Sequence, residues 1–120
     1  MKYSFEDKLY MKSGRGHGIM TGEEYFESLR DGREVWVHGE KVDDVTKHPA
    51  FCRVAKEMAR IYQLQHEPET QDVMSFINED DVRISYSYSM PKNYDDLIKR
   101  RDNTALWAKE SLGMFGRFPD

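Results

Sequence analysis

The chain is 120 residues long, 38% hydrophobic and 33% charged, with a formal net charge of −4. That length suits one domain with a modest core, and the acidic balance excludes a nucleic-acid platform, which would show a basic face. No apolar run approaches the roughly 18 residues needed to span a bilayer, Met1-Lys2-Tyr3-Ser4-Phe5-Glu6-Asp7 lacks the layout of a secretion signal, and the single Cys52 excludes an internal disulfide and a cysteine-built metal centre.

Residues 1–20 hold no period, and Gly14-Arg15-Gly16-His17-Gly18 is flexible by composition, so this stretch reads as a flexible leader. Its alternating glycines lack the preceding strand and following helix start of a phosphate loop. Order begins at Thr21-Gly22-Glu23-Glu24, a capping box. Tyr25, Phe26 and Leu29 follow as a short apolar stripe, and Asp31-Gly32 ends the helix with glycine free to turn left-handed. Glu34-Val35-Trp36-Val37, the turn His38-Gly39-Glu40 and Lys41-Val42 predict a small hairpin. Thr46-Lys47-His48-Pro49 predicts the start of a second helix, with proline in its first turn. Phe51, Val54, Ala55, Met58, Ile61, Tyr62 and Gln65 supply its inward face, and Pro68 bars its continuation.

Residues 66–81 read as an exposed connector. Val82, Ile84, Tyr86, Tyr88 and Met90 alternate with Arg83, Ser85, Ser87 and Ser89, which predicts a nine-residue strand ended by Pro91. Asn93 caps a third long helix, with Asp95 and Asp96 in its first turn. Its predicted inward face is Leu97, Ile98, Arg101, Ala105, Ala108 and Leu112, and Gly113 and Gly116 break it. The fold class expected is mainly α with a short β-hairpin and one further strand.

Few side chains ask for chemistry. His17, His38, His48 and His66 include no i, i+4 pair, so no metal site is expected. The pairs Glu23/Glu24, Asp43/Asp44, Asp80/Asp81 and Asp95/Asp96 fall mostly at helix starts or in loops, where capping and solvation explain them. Tyr86 and Tyr88 read as half-buried core, Cys52 as packing, and Lys99-Arg100-Arg101 as a solvated run with Asp95 and Asp96 one turn away. Arg117 differs, because it lies past a helix between Gly116 and Phe118-Pro119. A guanidinium presented there offers a planar fork for a phenolate, carboxylate or phosphate.

Several segments together resemble a known family. Met20-Thr21-Gly22-Glu23-Glu24-Tyr25, Ser28-Leu29-Arg30-Asp31-Gly32-Arg33-Glu34-Val35, Gly39-Glu40-Lys41-Val42-Asp43-Asp44-Val45-Thr46 and His48-Pro49-Ala50-Phe51 are similar to the opening of 4-hydroxyphenylacetate 3-monooxygenase. Arg100-Arg101-Asp102, Leu106-Trp107-Ala108 and Gly113-Met114-Phe115-Gly116-Arg117-Phe118-Pro119-Asp120 resemble a later stretch of the same family. The resemblance covers about residues 20–120 and is weakest at 70–92.

It implies the incomplete N-terminal helical domain (residues 21–120) of an acyl-CoA dehydrogenase-like fold. It also implies a two-component flavin-dependent aromatic hydroxylase, which takes reduced FAD from a separate flavin reductase and uses dioxygen to hydroxylate a phenol ortho to its hydroxyl. Arg117 matches the arginine of the family's Gly-Arg-x-Pro-Asp motif, a catalytic and substrate-binding residue that contacts the phenolic oxygen. The flavin contacts, and a tyrosine and a histidine at the substrate, are expected beyond residue 120, so the segment alone is expected to be inactive. A cytoplasmic homotetramer is implied, with no nucleic-acid or membrane partner. Two other readings stand beside it. One is a helical interaction module or split-gene subunit. The other is the CoA-ester dehydratase branch, disfavoured because Ser111, Leu112, Met114 and Phe115 stand where that branch carries cluster cysteines.

Overall fold

The computed structural model describes residues 18–114. They form two compact units, Met20–Gln71 and a second that comprises Gly18, Ile19 and residues 72–114. Among the described residues no helix is long and apolar enough to cross a membrane.

The first unit opens with helix α1, Gly22–Ser28. The predicted capping box is present: Thr21 Oγ1 accepts from the Glu24 amide, and a Glu24 carboxylate oxygen accepts from the Thr21 amide at 2.8 Å. Strands β1, Val35–Val37, and β2, Glu40–Val42, pair antiparallel with Val35 opposite Val42. His38 and Gly39 both take positive φ, 51° and 80°, the backbone of a tight hairpin turn. Helix α2, Cys52–Leu64, carries Ala55 and Ile61 into a core shared with Val42. Its contact with α1 is close: the Tyr25 and Tyr62 rings stack at 4.3 Å and 11°, and the Tyr25 hydroxyl donates to Met58 Sδ at 3.4 Å.

Helix α2 begins later than the proline suggested. Residues 44–51 are successive turns, because the Asp44 carboxylate accepts from both the Thr46 amide and hydroxyl, and the His48 carbonyl accepts from the Phe51 and Cys52 amides. Pro49 therefore sits in a turn rather than in the helix, and Val54 of the predicted inward face points out.

The second unit corrects the sequence reading in three places. Residues 66–81 are not all connector: they include the short helix α3, Gln71–Met74, and strand β3, Ser75–Ile77. Met74 and Ser75 are buried, and β3 pairs antiparallel with β4, Arg83–Ser85, so the further strand is half of a second hairpin. The nine-residue strand shrinks to β4, followed by a 3-10 turn, Tyr86–Tyr88. Serines end the ladder: Ser85 Oγ accepts from the Ser87 amide, and Ser89 Oγ donates to the Tyr86 carbonyl at 2.8 Å.

The third correction concerns helix α4, Tyr94–Glu110, which Asn93 caps by accepting from the Asp96 amide at 2.9 Å. Most of the predicted inward stripe is exposed (Leu97 at 53%, Arg101, Ala105, and Leu112 at 91%), while Ile98 and Ala108 are half-buried. The buried row is Asn103, Trp107 and Ser111, spaced four apart. Asn103 Nδ2 donates to Ser87 Oγ at 2.9 Å and its Oδ1 accepts from Trp107 Nε1 at 3.0 Å, while Ser111 Oγ donates to the Trp107 carbonyl. Hydrogen bonds made at both ends of one amide let a polar row go inside, which hydrophobic periodicity does not register.

Candidate functional site

Arg117, the residue singled out from sequence, lies outside the described residues, as do His17 and most of the 14–18 glycine stretch. The structure does fix the point from which the chain runs toward it. Helix α4 ends in two successive left-handed residues, Leu112 at φ 52° and Gly113 at φ 78°. The Gly113 amide donates back to the Ala108 carbonyl at 2.8 Å, and the Met114 amide to Ser111 at 3.0 Å. Arg117 follows Met114 by three positions.

The remaining candidates have structural duties. His66 Nε2 lies 3.0 Å from the Met20 carbonyl, tying the end of α2 to the residue before the α1 cap. His48 Nδ1 accepts from the Ala50 amide at 3.1 Å within its turn, and His38 occupies the hairpin turn. Among the described residues no three His, Cys, Asp or Glu side chains converge as a metal site. Cys52 is half-buried at the start of α2. The Tyr86 ring packs on Phe76 at 5.0 Å, whereas Tyr88 is exposed and so is not the half-buried core residue expected. Of the basic run on α4, Arg101 bonds the adjacent Asp102 at 2.9 Å rather than an acid one turn away. Asp96 instead accepts from the Lys92 amide at 2.9 Å.

A cavity of about 270 Å³ lies in the first unit, lined by Leu29, Arg30, Gly32, Arg33, Val42, Asp43, Asp44 and Val45. Its two arginines are committed. Arg33 forks onto Asp31, with Nε to Oδ1 at 2.8 Å and Nη2 to Oδ2 at 2.7 Å, and this pairing lowers the Asp31 carboxyl to about 2. Arg30 donates to Thr46 Oγ1, pairs with Glu27 and stands 3.4 Å from Asp44. The Thr46 hydroxyl, more than Arg30, holds Asp44 below the usual carboxylate range. The cavity is smaller than the roughly 300–1,000 Å³ typical of small-ligand sites. With its cations already paired, these residues do not fit a flavin dinucleotide.

The family profile described as 4-hydroxyphenylacetate 3-hydroxylase N terminal matches residues 21–120. The chain belongs to this hydroxylase family. Among its relatives, the 4-hydroxyphenylacetate 3-monooxygenase oxygenase component of Escherichia coli is 45% identical over 103 residues, 83% of this chain and 20% of the relative. The 4-nitrophenol 2-monooxygenase oxygenase component of a Rhodococcus species is 44% identical over 104 residues, 84% of this chain and 20% of the relative. A solved oxygenase component of 4-hydroxyphenylacetate 3-monooxygenase, complexed with FAD and 4-hydroxyphenylacetate, superposes with a TM-score of 0.77 at 40% identity. That match covers 82% of this chain and 21% of the solved one. The helix-rich architecture with two small hairpins is thus that of the N-terminal part of the hydroxylases, and the chain spans about a fifth of the length of these relatives.

Sequence reasoning missed two positions that set this architecture. Gly22 is buried against α2, and a Cβ there would stand 2.3 Å from the Ala59 carbonyl oxygen. Asn103 anchors α4 to the 3-10 turn. The i, i+4, i+8 row of Asn103, Trp107 and Ser111 was a signal available in the sequence, had polar residues been admitted to a buried face.

Proposed function

We propose that this chain is the N-terminal portion of a reduced-FAD-dependent monooxygenase that hydroxylates a phenol of the 4-hydroxyphenylacetate kind ortho to its hydroxyl. The observation that carries this reading is the family match across residues 21–120, joined to 40–45% identity with oxygenase components, one of them solved with FAD and 4-hydroxyphenylacetate. We assign residues 21–120 to the N-terminal helical domain of an acyl-CoA dehydrogenase-like fold, with 1–20 as a leader. The flavin, received from a separate reductase, is held by residues outside this segment. The assembled enzyme is a cytoplasmic homotetramer.

Arg117 is the substrate ligand in this reading. Its guanidinium donates charge-assisted hydrogen bonds to the phenolic oxygen, which favours the phenolate and raises electron density at the ortho carbon that receives oxygen. The test is a chimera in which residues 21–120 replace the matched segment of the Escherichia coli relative, assayed with the flavin reductase. Loss of a preorganised donor of this type costs about 2.7–4 kcal/mol, a fall of about 10²–10³-fold. Arg117→Ala is expected to lower kcat/KM by that order, and Arg117→Lys by less. Unchanged turnover in Arg117→Ala would remove Arg117 from the site.

A further inference from the structure

We propose that Met58 is a peroxide-sensitive latch: oxidation of its thioether to the sulfoxide loosens helix α1 from helix α2. The two helices meet at a seam with sulfur in it. The Tyr25 hydroxyl donates to Met58 Sδ at 3.4 Å while the Tyr25 ring lies on the Tyr62 ring at 4.3 Å. Burial raises the Tyr25 hydroxyl above its ordinary range, so it stays protonated and able to donate.

Helix α1 depends on this seam. It has seven residues, well below the roughly 12–15 at which a helix holds by itself in water. Its polar ties to α2 lie at its N-terminal end, where the Gly22 amide donates to Gln63 Oε1 at 3.2 Å and His66 Nε2 lies 3.0 Å from the Met20 carbonyl. Gly22 is the buried residue of α1, and Tyr25 and Phe26 are only half-buried, so no deep apolar anchor compensates when the Tyr25 contact is lost.

The chemistry is a two-electron oxygen transfer. A sulfur lone pair attacks one oxygen of hydrogen peroxide and the O–O bond breaks. The attacked oxygen stays on sulfur, its proton passes to the other oxygen, and water leaves; sulfur is oxidised and the peroxide reduced. The new oxygen makes an apolar side chain polar and larger where the phenol already touches sulfur, so Tyr25 has to withdraw and the ring stack opens. Methionine sulfoxide reductases reverse the step. That the chain meets peroxide rests on the proposed function, because reduced flavin and dioxygen yield hydrogen peroxide when no substrate takes the oxygen. The latch itself does not rest on it.

Other methionines bracket Met58 in access. Met58 is half-buried, Met74 is 0% exposed, and Met90 and Met114 are 81% and 82% exposed. The test is graded hydrogen peroxide added to the 120-residue chain, with peptide mass analysis to locate the added oxygen and amide hydrogen exchange over residues 22–28 to read α1. Met90 and Met114 are expected to react first, Met58 next and Met74 last. Exchange in 22–28 is expected to rise several-fold in step with Met58 alone, and reductase treatment to restore protection. Met58→Leu, which conserves volume, is expected to abolish the rise. Met20→Leu, at the half-buried methionine just before α1, and the pair Met90→Leu with Met114→Leu are expected to keep it. Met58 sulfoxide with unchanged exchange overturns the proposal. So does a rise that persists in Met58→Leu, or a Met58 that reacts no faster than Met74. Where the chain alone holds α1 too loosely to be read, the same exchange is measured on the chimera described above and the same outcomes decide. Turnover is not read, so failure of the hydroxylase assignment leaves this test intact.

Discussion

Gly22 occupies a place where no other side chain fits. It is the first residue of α1, it is buried, and its amide donates to Gln63 Oε1 of α2 at 3.2 Å. A methyl group there would have to push into the Ala59 carbonyl, which is backbone and cannot rotate away. Gly22→Ala is expected to destabilise the fold by about 1–3 kcal/mol, the range for overpacking, read by urea denaturation. Asp31 makes a different residue-scale statement. The Arg33 fork lowers its folded pKa to about 2, below the ordinary carboxylate value, so the native state prefers the charged form. Its contribution is complete above that ordinary value and disappears as pH falls through about 2. Because Asp31 is on the surface, the effect is read as a titration rather than as stability. An NMR titration of the Asp31 carboxyl should show a midpoint near 2, and Arg33→Gln should return it to the usual range.

At the scale of elements, signals confined to three or four residues were legible and long periodic patterns were less so. The Thr21 box, the Asn93 cap and the His38-Gly39 turn each depend on groups within one turn of chain, and each formed as read. The alternation of 82–90 failed because Ser85 and Ser89 bond their own local backbone and curl the chain into a 3-10 turn. Strand β3 was invisible because three residues hold too little pattern. The buried row of α4 was missed because an amide satisfied at both ends can be buried, which a hydrophobic count does not register. Asn103→Ala tests that account. It removes the buried bond from Trp107 Nε1 and the part-buried bond to the Ser87 hydroxyl, the first at about 1–3 kcal/mol, and a denaturation midpoint well below wild type is expected. Of the candidate site, Arg117 is proposed from its glycine-proline setting and its family motif alone, and it lies outside the described residues.

At the scale of the molecule, two units share one chain and the segment spans about a fifth of its relatives. The flavin is proposed to be held by residues outside this segment, and the cavity described in the first unit does not suit it, so the chain purified by itself is expected to show no flavin absorbance after mixing with FAD, and no catechol when reduced FAD and a phenol are supplied. A stoichiometric yellow protein would contradict this. The two tryptophans fall one to each unit, Trp36 on the rim of the first hairpin at 59% exposure and Trp107 inside the second unit at 4%. Nature has therefore wired the chain with a separate fluorophore for each half. Acrylamide should quench one and spare the other in the native protein, and single Trp→Phe variants would show by emission wavelength whether the halves melt in one cooperative step or in sequence.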